Sequence, residues 1–433
     1  MTVGGNLAMV AASIGLILAL MLVVRRAATH FALAPETQRK IIHVVTGLYA
    51  LTIPVMFKQT WPVFLLVMLS IATMMIMRLK RFAGDGVASV LHAVKRRSYG
   101  EIYLSLAIGF LFFRAQDQPV LYVLPILVLT LSDAAAALVG SAYGRKRFLV
   151  ADGMKSLEGS IACFVVTWLI AMIALLLLAD MEKINVVVLS FLVAAFGTLI
   201  EADSWRGLDN LFVPIGVHLL LATHLASDPT TLMILAAYFV AAIVGLLAAA
   251  PYLDLSAHSA RVVIVLVFLI GTYSTLITAI LPLIAVAAHL AARRFRPEDS
   301  PYPDLDFLAI AALVSLFWLF AGEQTSHSTV DLHELTFATA ATMLLTLPLI
   351  RSWRLLAFPI AGAVTLITVW ITRSDTADSL PAPVFVTIGT PIVLAAAIAL
   401  LLPAFFDRRR SLKVFGLALL APLLFFTLRE VSR

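Results

Sequence analysis

Charged residues are scarce in this sequence. Asp, Glu, Lys and Arg make up 13% of the 433 residues, while 62% are hydrophobic. A water-soluble domain of this length needs a larger charged share, and apolar runs close to bilayer-spanning length recur from end to end. Helices satisfy their own backbone polar groups inside a bilayer. We therefore predict an all-α, polytopic integral membrane bundle of about 15 or 16 transmembrane segments.

Cysteine is almost absent too, because Cys163 is the only one. This excludes a disulfide within the chain and argues against a metal–thiolate site. The sequence also lacks a long soluble domain, a low-complexity tract and a short-period repeat. Its net charge of +6 comes from short loops. We interpret that charge as topology information and contact with anionic membrane lipids, and we expect no nucleic-acid partner.

Basic loops set the expected orientation. The first span, about residues 5–24, has no basic residue before it and is expected to be a retained anchor, not a cleaved signal peptide. Lys and Arg then cluster in alternate loops, at 25–26, 39–40, 78–81, 95–97, 145–147, 351–354 and 408–410. These loops are expected to be cytoplasmic, in a bacterial-type inner membrane, with the amino terminus outside. The charge rule also favours a hairpin over a single crossing for residues 261–292.

Asp133 is a carboxylate inside an apolar span. It precedes the cytoplasmic end of that span by about eight residues, which is roughly 12 Å. A carboxylate at that depth is costly unless it is paired or faces water, so it indicates function. Ala136, Gly140 and Gly144 continue a small-residue stripe on the same helix. The stripe is typical of close approach by a helix or a ligand, and helix packing alone would explain it.

The loop after this span is rich in phosphate-binding residue types. It contains Lys146 in a basic triplet, then Lys155, Ser156 and Glu158. Cations and main-chain amides near a helix start suit phosphate, and Glu158 is placed to bind Mg²⁺ through oxygen. The order of residues is not that of a Walker loop. The alternative is an ordinary positive-inside loop in which Ser156 caps the next helix.

A later turn, "EADSWRGLDNLFVP", concentrates oxygen-bearing side chains. Glu201, Asp203, Asp209 and Asn210 lie within ten residues of one another. Such a set could coordinate a hard cation. The alternative is that Asp209 or Asn210 caps a helix, which would leave Glu201 unexplained.

The segment "QRKIIHVVTG" places Arg39, Lys40, His43 and Gly47 on one helical face by three- and four-residue spacings. An anion site and a simple packing role for His43 are both compatible with this pattern. The expected topology brings this segment, Asp133, the 145–158 loop and the 201–210 turn to the cytoplasmic side. Carboxylates for a metal and cations for phosphates at one membrane face indicate nucleotide–Mg²⁺ chemistry on a lipid.

These motifs resemble those of the polyprenol kinase family, which includes dolichol, phytol and farnesol kinases and is distantly similar to phosphatidate cytidylyltransferase. The resemblance rests on "RKIIHVVTG", "SDAAAALVGSAYGRKR", "KSLEGS" and "EADSWRGLDNLFVP", in that order. It covers residues 39–226. It implies transfer of the γ-phosphate of CTP to an isoprenoid alcohol, with a divalent metal.

The resemblance also implies roles for particular residues. Asp133, Glu158 and Asp209 would be the metal-linked carboxylates, and Lys155 would hold phosphate. The supporting and edge positions would be Ser156, Asn210, Glu201, Arg39, Lys40 and His43. Asp133 and His43 are both candidates for the general base.

The predicted organisation has three parts: an amino-terminal anchor at 1–38, a catalytic membrane domain at 39–226, and a carboxyl-terminal membrane region at 227–433 whose role the sequence does not indicate. In that last region, His327, Asp331, His333 and Glu334 are expected to lie in a solvated outer loop. Two other functions stay open. One is a cytidylyltransferase that makes a CDP-lipid, and the other is a lipid transporter, although the crowding of polar motifs into the amino-terminal half favours an enzyme.

Overall fold

The computed structural model describes residues 2–33, 35–78, 99–115, 118–151, 153–273, 276–325, 329–349, 351–374 and 383–431. Over these residues the chain is almost entirely helical, and eleven helices are long and apolar enough to cross a membrane. The prediction of an all-α polytopic bundle is confirmed. Other described helices have only 16 or 17 residues, which places them below the length expected for a full crossing. The basic positions 79–81 and 95–97 lie outside the described residues.

The chain divides into two compact units, Met1–Ala241 and Ala242–Arg433. The division falls inside a helix that begins at Pro229, fifteen residues beyond the boundary at 226 that the motifs predict. The expected anchor also belongs to the first unit, where its helix packs against the second and fourth helices.

The first unit contains eleven described helices, a π-helix and two strands. They are α1 (Val3–Phe31), α2 (Pro35–Ala50), α3 (Ile53–Met56), α4 (Thr60–Met77), α5 (Gly100–Ala115), α6 (Val120–Leu127), the π-helix (Val128–Ser132), α7 (Asp133–Tyr143), β1 (Arg147–Val150), β2 (Gly153–Ser156), α8 (Leu157–Leu178), α9 (Lys183–Asp203), α10 (Asp209–His224) and α11 (Pro229–Ala249), whose last eight residues belong to the second unit.

The two strands form an antiparallel hairpin in a segment that was expected to be a basic loop. Arg147 pairs with Ser156, and Val150 pairs with Gly153. Gly153 has φ +142°, a backbone conformation that favours glycine. The hairpin places Lys155 and Ser156 directly before α8, so these side chains approach the membrane helices from a fixed strand.

The second unit contains eight further described helices and three short 3₁₀ segments. The helices are α12 (Ala257–Tyr273), α13 (Ile280–Phe295), α14 (Pro303–Gln324), α15 (Val330–Thr346), α16 (Ala357–Ser374), α17 (Val384–Leu401), α18 (Arg410–Ala418) and α19 (Leu420–Val431), and the 3₁₀ segments are Leu276–Ala279, Arg351–Leu356 and Pro403–Asp407. The ambiguous segment 261–292 is thus divided between α12 and α13.

Helix α15 forms the core of the second unit, and every side chain from Asp331 to Leu344 is buried. The expectation of a solvated outer loop is therefore wrong for Asp331, His333 and Glu334, while residue 327 lies outside the described residues. His333 Nε2 lies 3.1 Å from Ser315 Oγ, and His333 Nδ1 lies 3.2 Å from Glu334 Oε1. Mutual hydrogen bonding lets these polar groups be buried among apolar helices.

Candidate functional site

The candidate site is a half-open cavity of about 450 Å³ in the first unit. One end is charged and is formed by residues from α2, the hairpin, the ends of α4 and α9, and the starts of α5, α7 and α10. The other end is an apolar arm between α1, α2, α4 and α5. A cavity of this size and mixed lining is typical of a small-molecule site.

The charged end carries both signs. The lining cations are Arg39, Lys40, Arg78, Arg147 and Lys155, and the lining carboxylates are Glu101, Asp133, Glu201 and Asp209. The four polar segments singled out in the sequence are thus brought to one cavity.

Asp133 and Lys40 form the central ion pair. Lys40 Nζ lies 2.6 Å from each carboxylate oxygen of Asp133, and both side chains are largely buried. His43, one helical turn after Lys40 on α2, places Nε2 3.5 Å from Asp133 Oδ2. The carboxylate is therefore paired, which is the condition for placing it within an apolar span.

The π-helix Val128–Ser132 ends directly before Asp133. A π-helix adds a residue to the turn and changes the direction in which later side chains project, and such segments are common at functional sites. Its Leu129 carbonyl oxygen lies 3.5 Å from His43 Nε2. Upstream, Pro125 has no N–H to donate, and the Leu121 carbonyl lies 2.8 Å from His218 Nδ1 instead.

Gly47 allows α2 to approach this segment. A Cβ at Gly47 would overlap the side chain of Thr130 in the π-helix. Because Lys40 and His43 are on the same helix as Gly47, this close contact helps to hold them against Asp133. The glycine on the predicted polar face of α2 therefore has a packing role.

Lys155 forms the second ion pair of the site. Its Nζ lies 2.8 Å from Glu201 Oε1 and also donates to the main-chain carbonyl of Glu201. Burial by itself would lower the pKa of the Lys155 ammonium. The charges of Glu201 and Asp209 outweigh burial and raise that pKa above its usual value. Lys155 is therefore a stable cation at neutral pH.

Asp209 and Asn210 begin α10, and both line the cavity. The capping alternative for these two residues is wrong, since the N-cap is Leu208 and its side chain makes no capping bond. The Asn210 Oδ1 atom is buried without a hydrogen-bond partner. A buried acceptor in this state is an available ligand for a cation or a donor.

The candidate residues of the four polar segments that do not line the cavity are Gly47, Gly144, Lys146, Glu158 and Asp203. The Glu158 carboxylate accepts from the main-chain N–H of Lys146 at 3.1 Å and 3.3 Å. At Gly144, a Cβ would collide with Ser156. The glycine therefore lets α7 pack closely on the strand and helix that follow it.

Gly140 and Ser156 belong to the same packing contact and also line the cavity. Ser156 is the N-cap of α8, and its Oγ accepts from the Gly159 N–H at 3.1 Å. The capping interpretation of Ser156 is confirmed.

Two charged lining residues, Arg78 and Glu101, were missed by reasoning from the sequence. Arg78 follows α4, and its Nη2 donates to Glu101 Oε2 on α5 at 2.7 Å. The guanidinium carbon of Arg78 is 4.9 Å from the centre of the Tyr99 ring. Arg78 had been counted only as a topology signal, and no spacing in the sequence relates it to Glu101. Arg147, not Lys146, is the lining member of the basic triplet.

The residues present fit a bound Mg²⁺. In the described part of the chain, no three His, Cys, Asp or Glu side chains gather at metal-binding spacing. Mg²⁺ commonly takes one or two protein carboxylates and completes its shell with water and substrate phosphates. Asp133, Asp209 and the unpartnered Asn210 oxygen supply that kind of donor set.

Comparison with known proteins gives one partial relationship. The chain is 34% identical over 128 residues to a phytol kinase from Synechocystis sp. (strain ATCC 27184 / PCC 6803 / Kazusa), which is 29% of this chain and 54% of that protein. The chain thus spans about half the length of the curated relative that it matches. No family model matches the sequence. No solved structure matches it either.

Proposed function

We propose that this protein is an integral membrane kinase that transfers the γ-phosphate of CTP to the hydroxyl group of an isoprenoid alcohol. The observation that carries the proposal is that one cavity combines a charged end with an apolar arm. An alcohol with a long apolar tail needs both environments within one site. The partial similarity to a phytol kinase supports the same class of acceptor.

The charged end suits a nucleotide triphosphate. Lys155 is fixed by Glu201 at the end of α9, while Arg147 and Arg39 approach from β1 and α2. Cations that are already positioned stabilise the charge on the phosphoryl oxygens, which is the main demand of phosphoryl transfer. We place the triphosphate among these cations and place the nucleotide entrance on the cytoplasmic side.

Asp133, Asp209 and Asn210 would hold Mg²⁺ in this site. When bound, the ion would supply positive charge that stabilises the transferred phosphate. In the structure, Lys40 neutralises Asp133. Entry of the nucleotide phosphates gives Lys40 alternative anionic partners, which frees the Asp133 oxygens for other contacts.

In the reaction, the alcohol oxygen forms a bond to the γ-phosphorus, and the bond from that phosphorus to the β–γ bridging oxygen breaks. CDP leaves, and the hydroxyl proton moves to a protein group. Asp133 and His43 lie side by side at the junction of the charged end and the apolar arm. Either side chain is placed to accept the proton. The pH dependence of activity in Asp133→Asn and in His43→Gln distinguishes the two candidates for the general base.

The test uses the full-length protein, purified in detergent with Mg²⁺ and presented with γ-labelled CTP or ATP. The acceptors are farnesol, geranylgeraniol, phytol, a long polyprenol and diacylglycerol. We expect label on an isoprenoid alcohol with CTP as donor. Label from ATP alone would correct the nucleotide, and label on diacylglycerol alone would correct the acceptor.

A parallel assay with α-labelled CTP and phosphatidic acid tests the competing chemistry. Formation of a CDP-lipid and pyrophosphate would replace the kinase with a cytidylyltransferase. No labelled lipid in either assay, from protein that remains folded and monodisperse, would contradict the proposed function.

A further inference from the structure

We propose that the apolar arm binds the tail of the alcohol and that its closed end selects tails of roughly three to four isoprene units. This inference rests on the proposed function. It assigns a specificity role to α1, α2 and α4, and in particular to a helix that the sequence identified only as an anchor.

Two helices give the depth of the arm independently. Along α2, lining residues run from Lys40 to Ala50, ten residues or about 15 Å. Along α4, they run from Leu66 to Arg78 at its end, twelve residues or about 18 Å. The arm therefore extends about 15 to 18 Å from the charged end.

That depth corresponds to a defined chain length. Carbon–carbon bonds of about 1.5 Å at an angle of about 111° advance an extended chain by about 1.25 Å each. The arm then accommodates roughly 12 to 14 bonds, which is the main chain of three isoprene units (about 12 bonds) and about half of a fourth. A longer polyprenol would have to leave the arm between helices.

Hydrogen bonds close the far end. Tyr49 on α2 donates to Ser13 Oγ on α1 at 2.5 Å, and Tyr122 on α6 donates to the Ala50 carbonyl at 2.7 Å. Ser13 is 2% exposed, Ala50 0% and Ile53 3%. Polar bonds at this point fix α1 and α6 to α2, so the end is a firm stop and not a flexible gap.

Helix α1 provides one wall of the arm. Ile14, Ile17, Leu18 and Met21 recur at helical spacing and line the cavity. The wall continues on α4 through Leu66, Val67, Ser70 and Met74. Apolar walls bind a hydrocarbon tail without directional contacts, so length and width set the selectivity.

The test blocks the arm halfway. Ser70 lies eight residues before Arg78 on α4, about 12 Å from the charged end. Ser70→Phe should reduce kcat/KM at least tenfold for farnesol and geranylgeraniol while leaving geraniol, with two isoprene units, within about twofold. Leu69→Phe is the matched control, because Leu69 is 40% exposed and does not line the cavity.

Equal effects of Ser70→Phe on all three alcohols, or no effect, would overturn the tail site. Retained activity with geraniol shows that the variant folds. If Ser70→Phe does not fold, Leu66→Ala decides: a shift of preference towards longer alcohols supports the inference, and an unchanged preference overturns it.

Binding of tritiated farnesol without nucleotide separates the two hypotheses. Suppose that the protein phosphorylates no alcohol but binds farnesol, and that Ser70→Phe weakens this binding while Leu69→Phe does not. This result would support the tail site and contradict the kinase. Phosphorylation with a chain-length preference that no arm variant changes would keep the kinase and reject the tail site.

Discussion

At the scale of single residues, the site is organised by two lysine–carboxylate pairs. Lys40 neutralises Asp133, and Lys155 neutralises Glu201. Removing one member of a buried pair leaves the other charge without compensation, so a loss of activity in a single variant can include a loss of stability. Tests at these positions therefore need paired variants.

Asp133→Asn should lower kcat/KM by at least about 100-fold, since the carboxylate is a candidate for both proton transfer and metal binding. The same change should lower the melting temperature, because Lys40 then lacks its partner. Combining it with Lys40→Met should restore the melting temperature but not the activity. Asp180→Asn, at an exposed loop position, is the control. Wild-type activity in Asp133→Asn at normal abundance would remove Asp133 from the mechanism.

Lys155→Met should raise the KM for the nucleotide with little change in the KM for the alcohol, and Lys155→Arg should retain part of the activity. Because Glu201 and Asp209 raise the pKa of Lys155, its charge persists as pH rises from 7 well into the alkaline range. Glu201→Gln removes the carboxylate with the larger effect on this pKa, so the activity of that variant should decline at a lower alkaline pH than that of the wild type. Identical alkaline limbs in the two pH profiles would contradict this electrostatic account.

At the scale of elements, close packing between α2 and the π-helix aligns the charged groups. Neither element does this alone, because Lys40 and His43 belong to α2 while Asp133 follows the π-helix. At Gly47 the contact leaves no room for a Cβ, which would overlap the Thr130 side chain of the π-helix.

Gly47→Val should therefore reduce activity strongly by moving α2 away from Asp133, and overpacking of this kind costs about 1–3 kcal/mol. Activity and melting temperature are the two measurements. Gly245→Val in α11 is the matched control, since a Cβ at Gly245 meets nothing within 4 Å. A similar loss in both variants would point to a general intolerance of valine in these helices.

At the scale of the whole molecule, the charge pattern of the loops predicts which side of the membrane carries the site. Cys163 is the only cysteine and is buried, so a Cys163→Ala background allows single cysteines to be placed at will. Arg145→Cys, at an exposed loop position two residues before the lining residue Arg147, should react with a membrane-impermeant thiol reagent only after the cells are permeabilised. Asp180→Cys, in the loop after α8, should react in intact cells. The reverse pattern would place the site outside.

The fold class followed from the sequence because apolar length and scarce charge are sufficient to define a helical membrane bundle. The sequence also located Asp133, Lys155, Glu201 and Asp209, since charged groups next to apolar spans are few and need a reason. The direction in which each side chain projects could not be predicted from the sequence. Glu158 accepts from a main-chain N–H, and Arg147 rather than its neighbour Lys146 lines the cavity, both as consequences of a hairpin that the sequence analysis treated as a loop.

The π-helix was also beyond the reach of sequence patterns, because no side-chain periodicity distinguishes it from an α-helix. It makes the span sensitive to chain length in a way that composition does not show. If the five residues 128–132 closed into an ordinary α-helix without losing a residue, everything after them would rotate by about 100°. Asp133, Ala136 and Gly140 would leave the cavity together, although none of them had been changed. Natural variants of this chain should therefore have either five residues here with the π turn or four residues with an ordinary helical turn.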